Sequence, residues 1–288
     1  MSRPTMTETL RIPVRGTPAL RRSTPRRPSR AGWRRRGGRR GLLVLATQVL
    51  IVIAVLVAWQ LASGRLVQAY LVSNPIDVAK KLWHLLGDGA MRHNIWITTQ
   101  ELLLGYLFGA AAGVVAGWIL GTVRFAGDVL EPIISAFNGI PKVALAPLFL
   151  LWFGLGMGSK VAIASMIVFF VLYYNVYTGM RTVPEPLVDV TRAMGASRWF
   201  VIRKVVVPSV NVPLFAGLKA AVPFAMIGVI AGEFISADAG VGFYTMTATQ
   251  QFDPAGLFAG LVIIVAMLVV GTMAITVIER RALSWQRR

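Results

Sequence analysis

An all-α polytopic membrane protein, with six transmembrane helices and a helical hairpin presented between the fourth and fifth, is the architecture this sequence predicts. Three observations predict it. Of 288 residues, 56% are hydrophobic and only 15% charged, whereas soluble domains carry roughly 25% charged residues. The apolar residues fall in uncharged blocks of about 20, the length a helix needs to cross a bilayer. These blocks lack sustained alternation and are about twice as long as a barrel strand requires. There are no cysteines and two histidines, His84 and His93. Disulfide frameworks, thiolate chemistry and iron–sulfur clusters are thereby excluded, and no metal site is expected.

Residues 1–40 hold 13 arginines and one acid, Glu8, of a chain with net charge +18. So basic and Pro-rich a segment has too little apolar surface to fold alone and is expected to be a disordered cytoplasmic tail. It could attract anionic lipid or nucleic acid, or act as a topology signal; the second reading is preferred, because it runs directly into an apolar segment. That segment, 42–62, is too long for a signal-peptide core and reads as the first retained span. The second span, 102–123, carries Gly105, Gly109, Gly113, Gly117 and Gly121, one glycine per four residues. The bare face this creates lets a neighbouring helix pack closely. The third, 132–153, is interrupted by Asn138, Gly139, Pro141 and Pro147 and should bend or break near Lys142. An intramembrane lysine faces a polar cavity or partner, or snorkels to a headgroup if the helix ends are shifted; both readings stand for Lys142. The fourth span is 161–180, the fifth 212–232 and the sixth 257–278. Lys219, a turn or two inside the fifth, is read as snorkelling. Together 41–288 form the transmembrane domain. Even without the tail, cations concentrate on segments that share a side with both termini, so both termini and the loop after span four are assigned to the cytoplasm. Glu233 and Asp238 then lie at the outer end of span five, where an external vestibule would be. Lys142 and Glu233 are the candidate residues of a translocation pathway.

The cytoplasmic loop 184–208 reads as two short helices. Pro184 and Pro186 open the first, whose apolar positions are Leu187, Val190 and Met194, and Gly195 supplies a left-handed terminator. Ser197 caps the second, with Phe200, Val201 and Val205 apolar, until Pro208 stops it. Such a hairpin is shaped to enter a groove on a soluble partner. Residues Asp189, Val190 and Thr191, then Gly195, then Val205, Val207 and Pro208 follow the spacing of the EAA motif of ABC importer permeases, with Asp for the usual Glu and Val-Thr for two alanines. The stretches 140–156, 194–209 and 230–243 also resemble permeases of the nitrate, sulfonate and taurine type. This resemblance implies a membrane-spanning dimer, by default of identical chains, that docks its hairpin on a cytoplasmic ATP-binding subunit and receives solute from an extracytoplasmic solute-binding protein. It implies a multi-pass cell-membrane protein with no cofactor of its own, ATP being bound by the partner ATPase. The expected function is passage of a small, anionic solute by alternating access.

Other classes fit less well. The segment 154–160, GLGMGSK, approaches a phosphate loop but places Ser159 between Gly158 and Lys160, and reads as a Gly-rich turn. No nucleophile–base pair or carboxylate pair converges as a membrane enzyme would need. A DNA-binding reading of 185–208 fails because spans tether it on both sides, so no nucleic acid partner is expected. An ion-coupled secondary carrier is the alternative that Lys142 keeps open.

Overall fold

The computed structural model describes residues 33–65 and 68–283, which divide into two units, 1–55 and 56–288. Expectations for residues 1–32 lie outside the described residues. Residues 33–40, expected to be disordered, are already the first turns of α1 (Trp33–Ala62). Arginine is a good helix former, so the apolar helix propagates back into the basic run. The apolar part of α1, Gly41–Ala62, has none of its residues buried.

Twelve α-helices and no strand occur among the described residues. After α1 and the short α2 (Ala69–Val72) comes α3 (Pro75–Gly87), then the long α4 (Gly89–Thr122) and the pair α5 (Arg124–Asn138) and α6 (Ala146–Phe153). The chain continues through α7 (Met157–Arg181), the hairpin helices α8 (Glu185–Ala193) and α9 (Arg198–Val201), α10 (Val207–Ser236), α11 (Val241–Gln250) and α12 (Pro254–Ala282). Five helical segments are long and apolar enough to cross a membrane, six if the bent pair α5–α6 is counted as one span.

The predicted spans are all present but several boundaries move. The second begins at Gly89 rather than 102, capped by Asp88, whose Oδ1 accepts from the Ala90 amide at 3.0 Å. The expected start stopped at Glu101 and the expected fourth span stopped short of Lys160. Both charges sit inside the bundle and form an ion pair with each other (3.2 Å). The third span is not 132–153: its first half is α5, and it turns by 79° across 139–141 into a 3-10 turn (Lys142–Leu145) and α6. Gly139 and Pro141 make this break, whereas Pro147 lies in the first turn of α6, where its missing amide costs nothing. Pro208 does not stop a helix. It falls in the first turn of α10, and a π-helical stretch, Ile202–Val206, joins α9 to it without a gap. Lys219 does not snorkel; its ammonium lies 2.7 Å from Glu279 of α12.

The centre of the bundle is α7, flanked by α4 and α10. The glycine face of α4 meets it backbone to backbone: a Cβ on Gly113 would lie 2.5 Å from the Phe169 carbonyl and 2.9 Å from Leu172 Cβ. Gly228 and Gly232 of α10 do the same against Ala164 and Lys160, and Gly217 leaves room for the Asn175 side chain. With lipid supplying no hydrophobic drive between helices, this close van der Waals contact is what holds the three together. Leu102, Tyr106, Val168, Leu172, Ala221 and Val229 fill the seam.

Helix α3 is amphipathic, with Val78 and Leu85 packed against Met91, Val241, Ala259 and Ile263. Lys81 ties it to the start of α12 through Asp253 (2.7 Å), which also accepts from the Gly256 amide at 2.8 Å. Burial alone would raise the Asp253 carboxyl, but Lys81 and the Gly256 amide outweigh it and hold it below its ordinary value. The hydrogen bond to Asp253 raises Lys81. A depressed acid stabilises the fold above its unfolded pKa and loses that contribution as pH falls through the folded value. A raised lysine stabilises below its unfolded pKa and loses the contribution at higher pH. The stabilisation is therefore whole between about pH 4 and 10. Both side chains are about a third exposed, so solvent screening keeps the pair weak. Asp253→Ala should cost about 1 kcal/mol, mostly from the lost helix cap. The difference in melting temperature from the parent should be constant across that window and shrink in stronger acid.

Candidate functional site

Three arrangements of polar groups stand out, one at the hairpin, one at mid-height of α7 and one at the opposite end.

At the hairpin, Pro184 and Pro186 start α8 and Gly195 ends it with φ +84°. The Gly195 amide reaches the Arg192 carbonyl (2.9 Å) and the Ala196 amide reaches the Thr191 carbonyl (3.3 Å), which satisfies the last carbonyls of the helix. Ser197 caps α9, its Oγ accepting from the Phe200 amide. Val201 and Val205 are buried and anchor the return limb. Leu187, Val190, Met194 and Trp199 instead project outward, with Met194 82% and Trp199 70% exposed. A ridge of large apolar side chains on a basic, polar surface is the mark of a protein contact. Of the predicted coupling residues, Asp189 is exposed and lines a cavity of about 430 Å³ together with Val206, Arg124, Glu185 and Arg192. The Thr191 hydroxyl is spent on the Leu187 carbonyl. Val205 is buried, while Val207 and Pro208 open α10 half-buried. Of the motif residues, Asp189 alone lines this cavity, with Val206, the residue between Val205 and Val207, also in its wall. Its wall is fastened to the α4–α5 corner by an Arg124–Glu185 pair and by Arg181, which donates to Asp128 (2.6 Å) and to the Arg124 carbonyl (3.2 Å). Arg124 holds the exposed Glu185 carboxyl below its usual range. Spacing in the sequence contained no signal for these two cross-links.

At mid-height, the α5–α6 break delivers Lys142 to a cavity of about 550 Å³ whose walls include Asn138, Phe170, Tyr174, Asn175 and Phe224. The Lys142 ammonium donates to the Asn138 carbonyl and Oδ1 (2.8 and 2.9 Å) and sits 4.5 Å over the Phe170 ring. Phe170 is near the middle of the 25-residue α7, which puts Lys142 beside the mid-height of that helix. The three lysines within the spans are treated differently. Lys160 and Lys219 are each neutralised by a glutamate, whereas Lys142 is held only by carbonyl oxygens and a ring face. The buried Tyr174 hydroxyl, on the same cavity, has no hydrogen-bond partner. Asn175, seated on Gly217, spends an Nδ2 hydrogen on the Val171 carbonyl.

Glu233 is not on that cavity. It is 1% exposed at the far end of α10, accepting from the Thr98 hydroxyl (2.6 Å) and from the Gly242 amide. Next to it lies the Glu101–Lys160 pair, also buried. Asn94, Thr98 and Glu101 occupy one face of α4 at spacings of four and three. Sequence reasoning passed over all three; the spacing was the available signal, but the partners of Asn94 and Thr98 are more than 130 residues away in the chain and that of Glu101 is 59 away.

The helix count and the bent third span define a multi-pass membrane protein. Residues 109–284 match the family described as the binding-protein-dependent transport system inner membrane component, and the chain belongs to that family of ABC permeases. It is 30% identical over 244 residues to a formylaminopyrimidine transport permease of Halalkalibacterium halodurans, covering 83% of this chain and 95% of that one. A putative aliphatic sulfonates transport permease of Bacillus subtilis is 28% identical, covering 88% and 90%. A riboflavin transport permease of Chloroflexus aurantiacus is 29% identical, covering 76% and 81%. Among solved structures, an inward-facing MetNI methionine ABC transporter chain superposes with a TM-score of 0.57 at 19% identity, covering 65% of this chain and 94% of that one; the likeness is one of fold.

Proposed function

We propose that this protein is the solute-conducting subunit of an ATP-driven importer, working as a dimer of identical chains, with both termini and the hairpin in the cytoplasm. The hairpin docks on a separate ATP-binding subunit through Leu187, Val190, Met194 and Trp199, and an extracytoplasmic binding protein delivers the solute. The observation that carries this reading is the exposed apolar ridge of the hairpin, clamped at its base by the Arg124 and Arg181 contacts to the α4–α5 corner. A push on the ridge is thereby passed to α4 and α5, and nucleotide shifts the bundle only through such contacts that differ between its two states. Affinity purification from solubilised membranes should recover the ATPase chain, and replacing 185–208 by a Gly-Ser linker should remove it. Uptake by the protein alone in liposomes, with no ATPase, would instead establish a secondary carrier.

The solute proposed is a small oxyanion or a compound bearing one, of the sulfonate, taurine or nitrate kind. The relatives' names span a sulfonate, a pyrimidine and a flavin, so the inference rests on the cavity. The uncompensated Lys142 ammonium, the Tyr174 hydroxyl and the Asn175 amide offer donors to it, and a half-buried cation without a carboxylate beside it favours an anionic guest. Lys142→Gln should lower uptake about tenfold or more, the loss of one charge-assisted hydrogen bond, while leaving basal ATP hydrolysis unchanged. Undiminished uptake of the anion by that variant would remove Lys142 from the pathway.

A further inference from the structure

Between α4 and α12, in the half of the bundle away from the hairpin, lies a cavity of about 540 Å³. Its walls include Leu82 and Leu86 of α3, Ile95 and Leu103 of α4, and Val262 and Val270 of α12. Among the described residues that line it, Thr99 alone has a polar side chain, and its hydroxyl is spent on the Ile95 carbonyl (2.7 Å). No side-chain donor is left to recognise a polar guest, so an occupant is held there by shape and dispersion. Ala266 and Ala274, small and exposed, hollow out the α12 wall.

Both long walls belong to helices apolar enough to span a membrane, so the groove runs along the hydrocarbon layer. On α12 it extends from Val262 to Ala274, about 18 Å at 1.5 Å per residue. One leaflet is half of a hydrocarbon core about 30 Å thick, and the groove matches that depth. Two exposed tryptophans, Trp83 beside Leu82 and Trp96 beside Ile95, mark its upper end, and tryptophan collects at headgroup level. Arg92 precedes Ile95 and Thr99 at spacings of three and four, which places it on the groove face of α4. It is exposed and makes no ion pair among the described residues. Its neighbours at this level are committed elsewhere, Lys81 to Asp253 and Asp88 to the Ala90 amide. One cation therefore stands above a slot lined by alkyl groups.

We propose that this groove binds one phospholipid of the leaflet on the α3 side, with an acyl chain laid along Ile95, Leu103, Ala266 and Val270 and the phosphate at Arg92. Helix α12 is packed on α3, α10 and α11, and the acyl chain fills the space left between it and α4. An empty slot would forfeit dispersion contacts on both walls, and a tail restores them. The lipid acts as a wedge that completes the seating of α12. Its site shares no lining residue with the Lys142 cavity.

The test is photolabelling of the full-length protein in bilayers containing a phosphatidylglycerol with a diazirine midway along one chain. Label should map to Leu103, Ala266 and Val270 in excess over Val265, Val269 and Met273, which are exposed on α12 but off the groove. The excess should be about tenfold, the preference that on the order of ten additional carbon contacts confers. Ala266→Trp, which plugs the slot from an exposed position, should remove the excess, and Val265→Trp should leave it. Arg92→Gln should lower the groove label about threefold, the size of a polar contact within a membrane; an unchanged yield overturns Arg92 as the phosphate ligand. Equal labelling around α12 means an annular lipid coat only and overturns the site, and this pattern in the parent decides alone if Ala266→Trp fails to assemble. The chain has no cysteine, so Ala266→Cys carries a single thiol. Its crosslinking to a second copy by a short bismaleimide would make the groove a subunit interface and also overturn the proposal. None of these readouts involves transport, so the importer reading stands or falls separately.

Discussion

Gly195→Val is expected to abolish transport while leaving a folded membrane domain whose ATPase partner still hydrolyses ATP. Residue 195 has φ +84° with nothing within 4 Å of the position a Cβ would take, so no neighbour clashes with the new side chain. The penalty is conformational. A non-glycine residue in the left-handed region costs roughly 1–2 kcal/mol, and a β-branched one more. The hairpin escapes the strain by turning residue 195 back toward φ < 0, which breaks the two hydrogen bonds ending α8 and redirects the return limb. Asparagine tolerates the left-handed region best among the other residues, so Gly195→Asn should retain much of the transport. The measurement is the ratio of solute moved to ATP hydrolysed in proteoliposomes. Parent-like coupling in Gly195→Val would refute the hairpin as the transmission element.

Gly113→Val should have the largest effect on stability. Its Cβ would fall 2.5 Å from the Phe169 carbonyl, 2.9 Å from Leu172 Cβ and 3.1 Å from the Tyr173 amide nitrogen. Two of these are backbone atoms of a helix that is itself wedged against α10, so the clash is relieved only by parting α4 from α7. Overpacking in a close-packed interior costs about 1–3 kcal/mol, and here the separation also strips contacts from the glycines above and below. We expect loss of monodisperse protein in detergent, or a melting temperature lowered by several degrees. Gly89, with open space around it, is the control: Gly89→Ala should be neutral or slightly stabilising.

These two glycines also mark how far the sequence could be read. The five-glycine face of α4 and the left-handed role of Gly195 were both evident from spacing, because helical periodicity and backbone sterics are local. So were the break near Lys142 and the exposed ridge at Leu187, Val190 and Met194. The same local reasoning misplaced the starts of the second and fourth spans, for one physical reason. A charge looks like a boundary until its partner is known, and Glu101 and Lys160 are partners across 59 positions of chain. Lys219 was misread in the same way, its Glu279 lying in the last turns of the final helix. Pro208 was taken as a stop because proline breaks a helix interior. It follows a π-helical stretch that runs into α10 without a gap, and the wider turn accommodates the proline within the continuing helix.

By itself, then, the sequence determined that the chain is a multi-pass helical membrane protein carrying a cytoplasmic-type hairpin with the spacing of an ABC permease motif. Those properties follow from hydrophobic length, charge placement and residue-level backbone preferences, all of which act within a few turns of helix. Only the tertiary structure decided which lysine is left without a carboxylate, where Glu233 is used, and how the hairpin is braced. Each of these depends on which distant side chains share a small volume of low dielectric, where a charge is tolerated only beside its partner and an unmade hydrogen bond is costly.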